Sequence, residues 1–467
     1  METVPTIISK PRIRNREQII KNGKTPTIRR ARSLALMSIE CALNAADPKL
    51  LMHQKVKVEN LCLSIGDRFF DLGSFKHVYV VGGGKAGAAM AQALEETLGT
   101  HITAGTVNVP RGNKQGKSLI ELNETSHPIP DPAGVAGTNR MITIAEKAKE
   151  NDLVICLISG GGSSLMPLPR EGVTLEDKRA VTDALLKSGA AINEINIVRK
   201  HLSAFKGGWL AKKAYPATVV NMILSDVMGD PLDAIASGPT VPDPSTFSDA
   251  QKTLEKHNLW ETVPASVRKV FSEGIQGLLE ETPKPGDAVF AKVHNVLIGN
   301  NRTACQAAAK CLKREGLKTI LFDKPLEGEA RQMGKALASF ATKVTDYSFS
   351  LQKPLAVVAG GETTVEVKGK GLGGRNQELA LAAALNLTDA QTCVIASLNT
   401  DGVDGPTNSA GAIIDGYTIN RSLRAGLDPE KSLAENDSYT FFAKLGDLLL
   451  TGPTGTNVND ISVIVIL

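Results

Sequence analysis

The chain has 467 residues, 42% of them apolar and 4% aromatic, and 53 Lys and Arg face 49 Asp and Glu for a formal net charge of +4. That length and apolar content can fill the cores of two or three domains. So mild a cationic excess argues against a nucleic-acid surface, and no run reaches the roughly 18 apolar residues of a membrane span. Six scattered cysteines without a C-x-x-C pair, and a start lacking the apolar core of a signal peptide, lead us to expect a cytoplasmic protein.

In chain order, residues 1–28 read as a basic, aperiodic extension. Helical periodicity starts at Thr27 and stops at Asp47-Pro48. The next signal is HVYVVGGGKAGAAMAQALEE (77–96), which reads as a β-branched strand, a tight glycine turn and a helix rich in Ala, Leu and Met. A strand at Ile102 to Val109, the irregular HPIPDP stretch (127–132) and a helix at about 134–149 follow. A second strand-to-loop junction runs from Asp152 through the loop Ser159-Gly160-Gly161-Gly162-Ser163-Ser164. Helices are expected at 174–189 and near 193–213, then a strand at Thr218 to Leu224 that ends in Ser225-Asp226. Strands alternating with helices point to a parallel sheet covered on both faces. The acidic, proline-bearing stretch 278–288 reads as a linker, with a new α/β unit starting at Val293. The expected domains are therefore 29–280 and 288–467.

Ligands of open parallel sheets bind beyond the carboxyl ends of the strands, and glycine-rich polar loops recur there in this chain. Gly82, Gly84 and Gly87 satisfy G-x-G-x-x-G, the dinucleotide fingerprint, yet Lys85 puts a full charge inside the turn. Gly83, Gly84 and the loop from Ser159 to Ser164 are candidate phosphate cradles. Asp226 and Asp230, four apart around Gly229, are candidate Mg²⁺ ligands, with capping of the next helix as the plainer alternative. Arg199 and Lys206 are expected to share a helix face as a basic cluster, and His201 is left as an orienting or surface residue. Farther along, Asn300, Glu362, Thr363, Gly374, Arg375, Asn376 and Asp401 all stand at expected strand ends or helix starts. Arg375 beside flexible glycines suits capture of a phosphate or carboxylate. Glycine loops, cationic anchors and scattered Asp suit phosphoryl transfer, which needs positioning and charge neutralisation more than a nucleophile on the protein.

Taken together and in order, VVGGGKAG, ISGGGSSL, VRKHLSAFKGG, LSDVMGDPLDAIASGPTVPDPST, GGETTV, GGRNQE, NTDGVDGPT and TGPTGTNVND resemble the glycerate 2-kinase family, the type II glycerate kinases, whose C-terminal part is called the MOFRL domain. The resemblance covers about 29–467. It implies two Rossmann-like open α/β domains with the active site in the cleft between them, and ATP- and Mg²⁺-dependent phosphorylation of (R)-glycerate at its 2-hydroxyl to 2-phosphoglycerate. The family's cleft lysine falls on Lys85 and its cleft arginine on Arg375. Asp226 or Asp401 is the expected proton acceptor. The partner implied is a small molecule, with no nucleic acid or membrane, and a homodimer is compatible with it. The alternative is an NAD(P)H-dependent hydroxypyruvate reductase. Against NAD, the strand after the glycine turn ends Val109-Pro110-Arg111 with no acid for the ribose; Arg111 would suit the 2′-phosphate of NADP.

Overall fold

The computed structural model describes residues 12–113, 118–345, 353–387 and 392–467, and these form two compact units, one of residues 48–298 and one in which 12–47 join 299–467. In the first, the strands run in the spatial order Ile120–Thr125, Ala104–Pro110, His77–Gly83, Asp152–Ser159, Thr218–Leu224 and Val293–Gly299. The first five pair parallel throughout. Numbered by sequence the order is 3-2-1-4-5-6, the doubly wound arrangement whose direction of travel reverses between the His77 and Asp152 strands. Every residue of Asp152–Ser159 is buried, as a central parallel strand demands. A small antiparallel sheet of Val56–Glu59, Cys62–Ile65 and Arg68–Asp71 precedes it, which the sequence did not announce.

The second unit is also α/β, but its sheet is mixed. The last strand, Asp460–Ile466, lies antiparallel between Leu355–Thr364 and Cys393–Asn399, while Lys318–Leu321 and Leu326–Glu329 pair parallel to Leu355–Thr364. Because the final strand runs the other way, its first residue, Asp460, stands opposite Gly361 and Asn399 at the carboxyl ends of its neighbours.

The sequence-based boundaries shift in two ways. Strand Val293–Gly299 completes the first sheet rather than opening the second unit. Stretch 278–288 is not a free linker: Thr282 is buried and donates to Asp243 Oδ2 (3.1 Å), and Glu281 meets His201 Nε2 at 3.0 Å. At the other end, residues 1–11 lie outside the described residues, but 12–47 are integral to the C-terminal unit. Helix Pro26–Ala45 starts with Thr25 capping the Ile28 amide and buries Ile28, Ala31, Ala35, Leu36 and Ile39. Arg32 falls on that same stripe with no exposure, its guanidinium between Asp415 (2.6 Å) and Asp447 (2.7 Å). Asn15 donates to the Leu448 carbonyl (2.8 Å), and Asn22 to that of Gly446 (2.9 Å). The described part of the basic extension is thus integral to this unit, with Arg12 paired to Asp47 (2.5 Å) and Arg16 to Glu40.

Candidate active site

The reversal point of the first sheet brings the two glycine loops side by side, and they differ in kind. Gly82 and Gly84 take φ of 142° and 153°. A side chain at Gly82 would strike the Leu157 carbonyl, and one at Gly84 would strike Ser159 Oγ. These glycines let two central strands and their loops approach closely. The amides of this turn are already committed: Gly84 donates to the Asn108 carbonyl (3.2 Å), Lys85 to that of Gly160 (2.8 Å), Ala86 to Ser159 Oγ (3.0 Å) and Gly87 to the Gly84 carbonyl (3.0 Å). Gly83 and Ser159 are likewise buried structural members of the junction. The turn that matches the dinucleotide fingerprint therefore presents Lys85 rather than a row of N–H groups.

The second loop has the opposite character. Among the described residues the amides of Gly160, Gly161, Gly162 and Ser163 donate to no protein acceptor, which makes this stretch the anion-binding concavity of the junction. Gly161 adopts φ 80°. Side chains converge on it. The Asp226 carboxylate lies directly against Gly160, and a methyl group at Gly161 would fall 2.9 Å from the His127 ring and 3.4 Å from Cγ of Lys85. The loop is backed by Ala236 and Ser237, both in the left-handed region (φ 50° and 59°), a strained pair of the sort found at ligand sites. Ser163 Oγ meets Ser237 Oγ at 3.0 Å, which in turn donates to Asn196 Oδ1 (3.1 Å), and Ser164 Oγ donates to the Gly161 carbonyl (3.0 Å).

His127 opens the proline-rich stretch and carried no role in the sequence reading. Burial, reinforced by the charge of Lys85, lowers its pKa and keeps the ring neutral. Asp226 and Asp230 follow the Thr218 strand, with Asp230 at φ 55°. One carboxylate at an anion loop fits the way Mg²⁺ is usually held, by one or two acids with water and phosphate completing the shell. No group of three metal-ligating side chains occurs among the described residues.

Arg199 and Lys206 do not share a helix. The expected helix over 193–213 is two, Ile192–His201 and Trp209–Ala214, separated by Gly207 and Gly208 at φ 58° and 86°. The two cations nevertheless line one cavity of about 500 Å³ with Ser163, Ser164 and Lys178. Lys178 was missed by the sequence reading. His201, rather than lying at the surface, is buried, with Nδ1 donating to the Ile197 carbonyl (2.8 Å) and Nε2 meeting the Glu281 carboxylate at 3.0 Å.

In the other unit a second cavity of about 530 Å³ is lined by the expected Thr363, Gly374 and Arg375 together with Glu378, Asn399 and Asp404, while Asn300, Glu362, Asn376 and Asp401 are not among its lining residues. Gly360 to Thr364 lie inside a strand rather than in a loop after it, so Glu362 and Thr363 alternate faces. Arg375 begins helix Arg375–Asn386 and is occupied: Nε and Nη2 donate to the two oxygens of Asp460 (2.7 and 2.9 Å), and Nη1 to Glu362 (2.8 Å). Although burial opposes its charge, Asp460 and Glu362 raise its pKa above the ordinary value. The glycines before it are packing glycines, since side chains at Gly371 and Gly374 would collide with Asp437 and Asp404. Asp404 is buried at the start of this helix and accepts from the amides of Asn376 (3.1 Å) and Gln377 (2.9 Å). Asn376 also accepts from Ser397 Oγ (2.7 Å). Asn300 caps helix Asn301–Arg314 through the Thr303 amide (2.9 Å), and Asp401 Oδ1 accepts from the Val403 amide (2.9 Å) within its turn.

Comparison with known proteins agrees with this architecture. Residues 34–272 match a family described as a domain of unknown function (DUF4147), and 355–460 match the MOFRL family. A glycerate 2-kinase of Pyrococcus horikoshii is 43% identical, covering 93% of this chain and 97% of that protein, and a D-glycerate 2-kinase of Thermotoga maritima is 46% identical over 82% and 89%. A chain of Agrobacterium vitis, 40% identical over 93% and 94%, is provisionally named a hydroxypyruvate reductase. The crystal structure of a Thermotoga maritima glycerate kinase superposes with a TM-score of 0.83 at 42% identity, covering 93% of this chain and 99% of that one. The chain belongs to the glycerate 2-kinase family.

Proposed function

We propose that the chain transfers the terminal phosphoryl group of ATP to the 2-hydroxyl of (R)-glycerate, giving 2-phosphoglycerate and ADP. The observation that carries this reading is the convergence of Lys85, His127 and Asp226 on the Gly160–Gly161 turn, at the reversal point of the first sheet. Such a transfer is catalysed mainly by positioning and by neutralising charge. The amides of 160–163 hold phosphate oxygens, and Lys85 sets a full positive charge beside them. Asp226, with Asp230 four residues on, would hold Mg²⁺, which supplies further neutralisation across the phosphates. Neutral His127 accepts the proton of the 2-hydroxyl as that oxygen forms its bond to phosphorus; the bond to the ADP oxygen breaks, and that oxygen keeps the electron pair. His127 is better suited to this than Asp226, whose carboxylate would be engaged with Mg²⁺. In the C-terminal unit Arg375, which retains N–H donors beyond those given to Asp460 and Glu362, is the proposed cationic anchor of that unit's own cavity.

The dinucleotide alternative loses support at two points. The amides of 84–87 are spent within the protein, and Arg111, the one candidate for a 2′-phosphate, is paired with Asp131 at 3.0 Å. Incubation with Mg-ATP and (R)-glycerate, followed by ³¹P NMR, is expected to show 2-phosphoglycerate. Its absence, with NADPH consumed on addition of hydroxypyruvate, overturns the reading.

A further inference from the structure

The cavity behind Ser163 and Ser164 has cations without counter-charges. Lys178 sits on the inward stripe of helix Leu175–Lys187, level with Leu175, Val181 and Leu185, and is only 8% exposed. Its Nζ donates to the carbonyls of Pro167 (3.0 Å) and Leu168 (3.3 Å). Lys206, 2% exposed, donates to the carbonyl of Met166 (2.6 Å). Arg199 closes the group. Among the described residues no carboxylate comes within 4.0 Å of any of the three. The one acid lining the cavity, Asp183, is engaged by Lys187 at 2.7 Å. Arg179, also in the lining, leaves its buried Nε without a partner. Buried cations lacking acids cost free energy that a bound anion would recover.

Apart from Thr182 the rest of the lining is apolar, chiefly Pro128, Ile129, Pro130, Pro167 and Leu186, with Ile129 67% and Leu186 58% exposed at the rim. A volume of about 500 Å³ is far more than a three-carbon acid fills and is in the range of pockets for larger organic ligands. A polyphosphate bearing a flat aromatic base has both required parts, anionic groups for the cations and a face for the prolines and aliphatic rim.

We propose that this cavity seats the nucleotide, with Lys178, Arg199 and Lys206 neutralising the phosphates that lead away from the Gly160–Ser163 turn and the base lying against Ile129, Pro130 and Leu186. The inference rests on the kinase reading above and adds to it the place and the groups that hold the donor. Burial lowers the pKa of Lys178 to about 7, and that of Lys206 well below the ordinary lysine value, so both lysines take up protons when the anion arrives. The charged groups facing them are Arg179 and Asp183 on the same helix, Arg199 on the next, and each other.

The test is calorimetric titration of the full-length protein with ATP and, separately, with (R)-glycerate, at pH 8 in buffers of differing ionisation enthalpy. Wild type is expected to take up protons on binding ATP. Lys178→Met and Lys206→Met are expected to weaken ATP by about ten- to a hundredfold each, to reduce that uptake, and to move the KM for glycerate by less than about threefold. Ala180→Trp, an exposed position on the cavity rim, leaves the core untouched and is expected to raise the KM for ATP through obstruction alone, so the idea stays exposed to refutation even if the buried variants do not fold. Weakened glycerate with unchanged ATP would assign the cavity to the acceptor and overturn the proposal. Unchanged ATP affinity and proton uptake in a catalytically active Ala180→Trp or lysine variant would overturn it too, while leaving the kinase reading intact. Failure of the wild type to bind ATP or make 2-phosphoglycerate would instead bring down the kinase reading itself.

Discussion

Arg32 and Lys178 stand in the same kind of place. Each is a cation on the core-facing stripe of an amphipathic helix, Arg32 among Ile28, Ala31, Ala35, Leu36 and Ile39, Lys178 among Leu175, Val181 and Leu185. Around Arg32 two fully buried carboxylates wait, and the charge is satisfied from within. Around Lys178 there are backbone carbonyls and further cations. The same contrast separates Arg375, held at three nitrogens by Asp460 and Glu362, from Lys206. A buried cation with its acids in place fastens the fold. One without them is set out for something the chain does not itself contain. The electrostatics follow: Arg32 and Arg375 are raised above the ordinary arginine value even though burial opposes the charge, whereas burial takes Lys178 and Lys206 down.

The contrast can be broken by experiment. The largest effect belongs to Arg32→Met, which strands Asp415 in the core and leaves Asp447 with Arg421 as its one cation, and is expected to cost about 3–5 kcal/mol in urea unfolding; a loss under about 1 kcal/mol would deny helix Pro26–Ala45 its fastening role. His127→Gln removes the proposed proton acceptor while keeping a polar group of similar reach, and kcat is expected to fall by about a hundredfold or more with far-UV circular dichroism unchanged. Stability against pH separates the two kinds of cation more gently. Between its folded value near 7 and the ordinary 10.5, Lys178 binds fewer protons folded than unfolded, so unfolding free energy rises with pH across that window. The slope from this one group is at most about 1.4 kcal/mol per pH unit. Lys178→Met is expected to flatten that rise, and an unchanged slope would show that the lysine is not buried in this way. The smallest effect is at Glu362→Gln, whose half-exposed carboxylate is worth about 0–1 kcal/mol to Arg375 because Asp460 keeps the two-point contact.

Much of the fold around the candidate site was legible because the signals were local. The apolar run 152–158 followed by glycines and hydroxyls read directly as a central strand and its ligand loop, and the strand came out at Asp152–Ser159. Local signals also misled. G-x-G-x-x-G at 82–87 describes where two strands need room, and only the hydrogen bonds reveal that its amides are already spent. Arg199 and Lys206 meet in one cavity although helix Ile192–His201 ends between them, not along one helix face as their spacing implied. The residues that went unseen have their meaning set by distant partners. Lys178 stands out in the sequence only as a lysine where Leu175, Val181 and Leu185 predict an apolar residue, a signal that Arg32 shares with the opposite outcome. Asp460 opens a strand of apolar residues, and it becomes Arg375's partner only because that strand runs antiparallel into the middle of the sheet. His127 looked like an ordinary residue before prolines until the fold brought its ring to Gly161.

The proposed chemistry takes place where Lys85, His127 and Asp226 meet the Gly160–Ser163 turn. Lys85→Met tests it most directly, with product read by ³¹P NMR at saturating Mg-ATP and (R)-glycerate and nucleotide binding followed alongside. Turnover is expected to fall by about a thousandfold or more, with the fold intact and ATP still bound through the Lys178 cavity. Formation of 2-phosphoglycerate at near wild-type rate in that variant would contradict it.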